Sequence, residues 1–197
     1  MSKNIGSEPR NIAPEITGTL FDDGHIVVYD KRTNRLLDPA NVLDKIAIYE
    51  RQVTEWFIKP AIKLSKNIDE GFICLMICLS YIEGVEQYRQ GKNSKGNSSI
   101  FFKSSLNRIY TNVFSNSELQ NIFDEARNGL FHDGMSRGSV IISNTYAKSI
   151  EFNSDELLIN PQMLIADIKQ DFESYIQELY TVEESRKLFD KLFSVTK

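Results

Sequence analysis

The spacing of hydrophobic and polar residues changes along the chain from a strand-like period to a helical one and back. Residues 16–21 and 25–29 are rich in β-branched and aromatic side chains, and the turn signal Asp22-Asp23-Gly24 separates them. These runs predict a small β decoration over residues 16–37. Residues 1–15 are mostly polar and contain prolines, so we predict a poorly ordered tail there.

From Pro39 onwards, apolar residues recur every three or four positions, which is the period of an amphipathic helix. Asp38 is a suitable N-cap for the first helix, and Pro60 is expected to kink or split it. A second, strongly apolar helix is predicted from about Asp69 to about Tyr88. This part of the chain therefore begins a helical core.

Two more helices complete the predicted helical core, which spans residues 39–134. Ser98 or Ser99 can cap the third helix, after a connection rich in glycine, lysine, asparagine and serine. The fourth helix begins at Ser117, and Gly134 is well placed to end it.

The β-type pattern returns over residues 139–160. Residues 139–144 are predicted to form a hairpin with residues 147–152, and residues 157–159 are a third strand candidate. An amphipathic helix, or a pair of helices, follows over residues 161–195. The predicted fold class is mainly α: a bundle of four to five helices in one domain (16–197), with small peripheral β-hairpins near the N-terminus and after the fourth helix.

Composition and charge narrow the functional classes. The longest apolar run is far shorter than the roughly 20 residues that a membrane-spanning helix needs, and the first residues lack the apolar core of a signal peptide. We therefore expect a cytoplasmic protein without a membrane partner. Cys74 and Cys78 are interpreted as small buried hydrophobes, and no cluster of residues has metal-ligand spacing, so no metal or cofactor is expected.

The charge is unevenly distributed. A formal net charge of -4 argues against a general nucleic-acid coat protein. Between Glu86 and Glu118 there is nevertheless no acidic residue. The positive charges of this segment are Arg89, Lys92, Lys95, Lys103 and Arg108. The segment is either a solvated face or a local basic surface for phosphates.

Arg127 and His132 lie near the end of the predicted fourth helix. Histidine can exchange a proton near neutral pH, and the planar arginine cation suits phosphate. Five α-helical steps leave the two residues about 140° apart around the axis. In a single chain they can meet only if the long side chain of Arg127 reaches around the helix, or if the helix opens near Gly129 or after Phe131. Otherwise each would meet groups of a second subunit. Asn128 and His132 are four apart and share a face, so Asn128 could orient the imidazole or contact substrate.

An ordinary helix end accounts for the same residues. A histidine in the last turn is favoured by the helix dipole, and Arg127 could pair with Asp124 or Glu125. From spacing alone this is the simpler interpretation, because two such residues five apart often occur by chance.

The order of arginine, a polar residue, three further residues and histidine at the end of the last core helix resembles the signature of the HEPN superfamily. The segment Arg127-Asn128-Gly129-Leu130-Phe131-His132-Asp133-Gly134 is similar to several bacterial branches, as is Tyr81-Ile82-Glu83-Gly84 in the second helix. The resemblance covers roughly residues 69–138.

The resemblance implies a HEPN-like helical bundle that forms a homodimer through its motif-bearing helices, and a metal-independent endoribonuclease with RNA as its partner. His132 would serve in general acid/base work or position the 2′-hydroxyl, and Arg127 would bind the scissile phosphate. Asn128 would orient the imidazole or bind the substrate. Glu83 is a candidate to hold Arg127 or His132, with a plain surface carboxylate as the alternative.

Lys92, Lys95 and Lys103 are candidates to guide the RNA backbone, and a solvated loop is the alternative for each. Many members of the superfamily act as toxins or in phage defence, so an antitoxin or a defence protein is a further expected partner. The alternative function is a non-catalytic HEPN-like module that binds RNA, nucleotides or proteins in a defence assembly. Retention of Arg127 and His132 favours the enzyme, whereas the acidic overall charge favours the alternative.

Overall fold

The computed structural model describes residues 8–136 and 138–195, which form a mainly α structure with two small sheets. Two π-helical segments, π1 and π2, have hydrogen bonds from residue i to i+5. The helical elements are α1 (Val42–Val53), π1 (Thr54–Ile58), α2 (Lys59–Leu64), α3 (Gly71–Gln90), α4 (Ser98–Ile109), α5 (Asn116–Asn121), π2 (Ile122–Asp133), α6 (Pro161–Thr181) and α7 (Glu183–Leu192), with a 3-10 turn at Ile68–Glu70. The strands are β1 (Arg10–Ala13), β2 (Ile16–Leu20), β3 (Ile26–Asp30), β4 (Arg35–Leu37), β5 (Val140–Ile142), β6 (Ile150–Asn153) and β7 (Glu156–Ile159).

Helix α3 lies at the centre of the helical core. It is apolar nearly all round, as expected for a helix that is covered on several sides, and it packs against α2, α4, α6, α7 and π2. Cys74 and Cys78 are fully buried in it as free thiols. None of the helices in the described part of the chain combines the length and apolarity needed to span a bilayer.

The first predicted helix is divided, and its start differs from the prediction. Pro60 has no N–H, and its ring would clash with the carbonyl group of Trp56 in a regular α-helix. The chain widens into π1 just before this proline and continues as α2. Asn41 is the N-cap, with Oδ1 accepting a 2.8 Å hydrogen bond from the N–H of Leu43. Asp38 was the wrong cap, since it precedes a separate turn.

The N-terminal sheet is an antiparallel meander in the order β1-β2-β3-β4. The predicted tail of residues 1–15 was too long, because β1 pairs with β2 and its residues Ile12 and Ala13 are buried. The side chain of Gln52 in α1 donates a 2.7 Å hydrogen bond to the carbonyl oxygen of Ile12. Backbone pairing and this side-chain contact, neither visible in local composition, order the strand.

The second sheet has the order β5-β7-β6, with β5 parallel to β7 and β6 antiparallel to it. The predicted hairpin between residues 139–144 and 147–152 is therefore wrong, because β7 lies between those segments. Leu157 and Ile159 of β7 are fully buried, whereas β6 becomes more exposed from the buried Ile150 to the exposed Asn153. A continuous apolar run suits the central position, and a run that mixes apolar and polar residues suits an edge.

The remaining helix boundaries differ modestly from the predictions. Asn97 precedes α4 without a side-chain cap, so Ser98 and Ser99 lie inside that helix. Ser115, rather than Ser117, caps α5 in a capping box with Glu118. The structure contains more helices than the four to five predicted, because π1 divides the first helix and the C-terminal region is a pair, α6 and α7.

Partly buried ion pairs connect α3 to α4 and α6. Arg108 contacts Asp171, and its Nε lies 3.4 Å from Glu86. Arg89 lies 2.7 Å from Glu178, and the hydroxyl of Tyr81 donates a 2.8 Å hydrogen bond to Asp171. Two of the positive charges of the predicted basic segment are therefore neutralised inside the fold and do not contribute to a phosphate-binding surface.

The end of α3 depends on a glycine. Gly91 has a φ of 59°, and the N–H groups of Gly91 and Lys92 bond back to Tyr88 and Gln87 in a Schellman motif. A Cβ at position 91 would lie 2.9 Å from the carbonyl oxygen of Leu188 in α7. Glycine therefore permits both the turn and the close approach of α7.

We expect Gly91→Ala to lower the free energy of unfolding by about 2 kcal/mol, because it adds left-handed strain and a backbone clash. Gly84→Ala is the matched control, since a Cβ there meets nothing within 4 Å. That control should gain about 0.5–1 kcal/mol from helix propensity. Urea denaturation of both variants measures the difference, and equal midpoints would contradict this account of Gly91.

Candidate functional site

The helix that carries Arg127 and His132 changes its hydrogen-bond pattern at Ile122, where α5 continues into π2. In a π-helix each N–H bonds five residues back and one turn takes between four and five residues, so residues five apart lie on the same side of the helix. Arg127 and His132 have this spacing within π2. The α-helical estimate of about 140° between them therefore does not apply. The helix is widened from Ile122 onwards and not only near Gly129 or after Phe131, and none of the described hydrogen bonds of Arg127 reaches His132.

The guanidinium group of Arg127 is held by a carboxylate from α3. Its Nη2 and Nε donate hydrogen bonds of 2.8 Å and 3.2 Å to the same Oε2 of Glu83. Both side chains are largely buried, with exposed fractions of 16% and 14%. The Glu83 Oε1 atom accepts a 2.9 Å hydrogen bond from the Ser94 hydroxyl in the loop after α3. This pair connects π2, α3 and that loop.

Two aromatic rings flank the same guanidinium. The Cζ atom of Arg127 lies 5.4 Å from the ring centre of Phe123 and 5.0 Å from that of Phe131. These distances are in the range of cation–π attraction. The two phenylalanines lie four residues before and after Arg127, a spacing that could have drawn attention to them in the sequence. They hold the side chain on the α3 side of π2.

The acidic neighbours of Arg127 on its own helix have other partners. Asp124 accepts hydrogen bonds from Gln120 (2.9 Å) and Asn128 (3.3 Å), and Glu125 accepts one from Ser139 (3.1 Å). The pairing of Arg127 with Asp124 or Glu125, as an ordinary helix end would have it, is therefore absent from the described contacts.

Asn128 lies between Arg127 and Asp124. Its Oδ1 accepts a 3.1 Å hydrogen bond from Nη1 of Arg127, while its Nδ2 donates to Asp124. Residues four apart share a side in π2 as they do in an α-helix, so the expected common face of Asn128 and His132 remains a prediction. The described hydrogen bonds of Asn128 are with Arg127 and Asp124.

His132 is exposed at the end of π2, just before Gly134 turns the chain with a φ of 75°. Within residues 8–136 and 138–195, its imidazole makes no hydrogen bond. The ring is therefore accessible to a ligand or to a second copy of the chain.

The candidate lysines fall into two groups. The Nζ atom of Lys103 in α4 donates a 2.7 Å hydrogen bond to Gln120 of α5. Lys92 and Lys95 are exposed in the loop after α3, the loop that Ser94 anchors on Glu83. The loop therefore places two cations on the same side of α3 as the Arg127 pair.

Two cavities border this part of α3. The smaller, about 190 Å³, is lined by Glu83, Arg127 and Phe131, together with Leu79, Ser80, Gly84 and Gln87 of α3. The larger, about 700 Å³, has walls from α1, π1, α3 and the C-terminal residues, and it shares Ser80, Gly84 and Gln87 with the smaller one. Burial raises the pKa of each tyrosine lining it, Tyr49, Tyr81 and Tyr88, so these phenols are uncharged at neutral pH.

Apolar side chains surround the site at the surface. Phe131 and Met135 follow Arg127 with exposed fractions of 41% and 58%. Ile73 and Met76 on α3 are also exposed. Arg127 contacts Glu83, and Phe131, further along π2, lines the small cavity with Leu79, one turn earlier in α3. π2 therefore runs antiparallel to α3, and its end points towards the part of α3 that contains Ile73 and Met76.

In the described part of the chain, no three His, Cys, Asp or Glu side chains are grouped to hold a metal ion. Comparisons of this chain with protein-family models, with curated proteins and with solved structures found no match. The functional interpretation therefore depends on the arrangement of Arg127, His132 and their neighbours.

Removing either member of the Arg127–Glu83 pair should destabilise the fold. We expect Arg127→Ala and Glu83→Ala each to cost on the order of 3 kcal/mol, because each leaves a buried charge without its partner. The double variant should cost clearly less than the sum of the two. Urea denaturation of the four proteins measures this coupling. Losses below about 0.5 kcal/mol, typical of a surface pair, would contradict it.

Proposed function

We propose that this chain is a metal-independent endoribonuclease of the HEPN type. The observation that carries the proposal is that π2 brings Arg127 and His132, five residues apart, to one side of the helix, with the imidazole exposed and the guanidinium group held by Glu83. RNA supplies its own nucleophile, so the enzyme needs only a proton carrier and a cation beside the phosphate.

In the proposed reaction the 2′-hydroxyl oxygen bonds to the adjacent phosphorus, and the bond from phosphorus to the 5′-oxygen breaks. His132 accepts the 2′-hydroxyl proton, or positions that hydroxyl while water takes its proton, and the 5′-oxygen leaves with a proton delivered by the protonated imidazole or by water. The products are a 2′,3′-cyclic phosphate and a 5′-hydroxyl. This reaction requires no metal ion.

Arg127 suits the phosphate because Glu83 fixes only part of its guanidinium group. Nε and Nη2 donate to Glu83, whereas Nη1 donates to the neutral amide oxygen of Asn128. A phosphate oxygen is a stronger acceptor than an amide for this donor. We therefore assign Nη1 to the scissile phosphate and Asn128 to holding that donor in the free protein.

A homodimer would complete the site. Phe131 and Met135 form exposed apolar surface beside the motif, and such surface supports association through π2. Two copies of Arg127 and His132 would then face one cleft across a two-fold axis. Within this proposal the protein acts as a toxin or a phage-defence effector, with an antitoxin or defence protein as a further partner.

A second candidate, a non-catalytic binding module of the same type, is favoured by one specific observation. Glu83 neutralises Arg127 within the single chain, so the arginine also has a structural role. In that function His132 is a surface residue, and the exposed loop containing Lys92 and Lys95 binds RNA or a protein without cleavage.

The two histidines provide a matched test. Wild-type protein in EDTA should cleave single-stranded RNA and leave the 2′-deoxy analogue intact. His132→Ala should lower the cleavage rate roughly 100-fold or more, as removal of an acid/base group does. His25→Ala, which alters the exposed histidine of the β2–β3 turn, should stay near the wild-type rate. Gel analysis of labelled RNA measures all three.

Arg127→Lys is the companion variant, because it keeps a positive charge opposite Glu83 but loses the planar fork. It should remain folded and cleave poorly. Equal cleavage by His132→Ala and wild type would contradict the enzymatic function. RNA binding by a folded wild-type dimer that cuts no RNA would favour the second candidate.

A further inference from the structure

We infer that the larger cavity is a subsite for one unpaired nucleobase, which it binds through an edge that carries hydrogen-bond acceptors. The inference rests on the proposed function, because it assigns the place of a base next to the phosphate at Arg127. It concerns residues of α3, π1 and the loop after α3, none of which belongs to the Arg127–His132 motif.

The size and lining of the cavity select the class of ligand. Its volume, about 700 Å³, is within the range of small-molecule sites. Every lining side chain in the described segments is uncharged, and aromatic rings from Trp56, Phe57 and Tyr88 contribute to the walls. Such a site takes a planar neutral group by stacking and disfavours a phosphate or a carboxylate.

Two amides line the cavity wall, and backbone N–H groups bind their oxygens. The Gln87 Oε1 atom accepts a 3.0 Å hydrogen bond from the N–H of Ser94. The Asn93 Oδ1 atom accepts a 2.8 Å hydrogen bond from the N–H of Lys95. Within residues 8–136 and 138–195, neither amide nitrogen donates to another residue. Because backbone donors hold the oxygens, both NH₂ groups remain for a ligand.

A pair of donors recognises an edge with neighbouring acceptors. Guanine offers O6 and N7 together, and cytosine offers O2 and N3, whereas the corresponding edges of adenine combine a donor with an acceptor. The cavity should therefore prefer guanine or cytosine to adenine.

The position of the cavity connects the base to the phosphate. Ser80, Gly84 and Gln87 line both cavities, so one strip of α3 separates the base subsite from Arg127. The space beside Gly84 is open, because no atom outside its own stretch of helix lies within 4 Å of an added Cβ. The ribose of one nucleotide can lie over Gly84, with its base in the larger cavity and its phosphate in the smaller cavity.

Trp56 reports directly on the cavity, because it is the only tryptophan of the chain and lines the wall. Titration of the wild-type protein with 2′-deoxynucleoside 5′-monophosphates, which it cannot cleave, should quench Trp56 emission in a saturable way. The affinity for dGMP or dCMP should exceed that for dAMP about tenfold.

Gln87→Glu is the decisive variant. Its carboxylate still accepts the hydrogen bond from Ser94, so the loop stays held, but the donor to the base is lost. We expect about tenfold weaker binding of dGMP and dCMP. Gln177→Glu makes the same chemical change on the exposed face of α6, away from both cavities, and should bind like wild type.

The outcomes separate this inference from the proposed function. His132→Ala should retain full quenching, because the imidazole is not part of the cavity. Saturable quenching without RNA cleavage would support the base subsite and contradict the enzyme. Cleavage without quenching, equal binding by wild type and Gln87→Glu, or quenching by apolar aromatics alone would overturn the base subsite.

Discussion

The buried pair of Arg127 and Glu83 is the interaction on which the candidate site depends. A charge taken out of water must keep its partner, and this pair joins π2 to the central helix α3. Glu83 also holds the following loop through Ser94. The same contact thus orients the guanidinium group, sets the antiparallel approach of π2 and places the loop lysines near the cavities. Stability and the proposed chemistry therefore share one contact, in which Glu83 fixes Nε and Nη2 while Nη1 has a neutral, replaceable partner.

Widened helices border both cavities. π1 contributes Trp56 and Phe57 to the larger cavity, and π2 contributes Arg127 and Phe131 to the smaller. A π-helical turn brings residues five apart to the same side of the helix, which an α-helix does not do, and such turns are frequent at functional sites. In π1 the cause is the proline that follows. In π2 the widening coincides with the docking of Arg127 on Glu83, which connects the irregular backbone to the ion pair.

Local patterns predicted much of the helical core but not its tertiary contacts. The apolar run of α3, the end at Gly91 and the turn before His25 depend on neighbouring residues, and the sequence was sufficient for them. β1 and the central place of β7 depend on pairing with distant segments, which composition does not encode. The charges of Arg89 and Arg108 suggested a basic surface, although acidic residues of α3 and α6 neutralise them. The sequence showed the motif itself, but it did not show the π-helical geometry that brings Arg127 and His132 to one side of the helix.

Mass spectrometry of RNA ends gives the most direct test of a metal-free site built from Arg127 and His132. Wild-type protein incubated with single-stranded RNA in EDTA should produce 2′,3′-cyclic phosphate and 5′-hydroxyl ends, because the 2′-oxygen displaces the 5′-oxygen. Ends carrying a 5′-phosphate, or RNA that stays intact with a folded dimer, would contradict the proposed reaction.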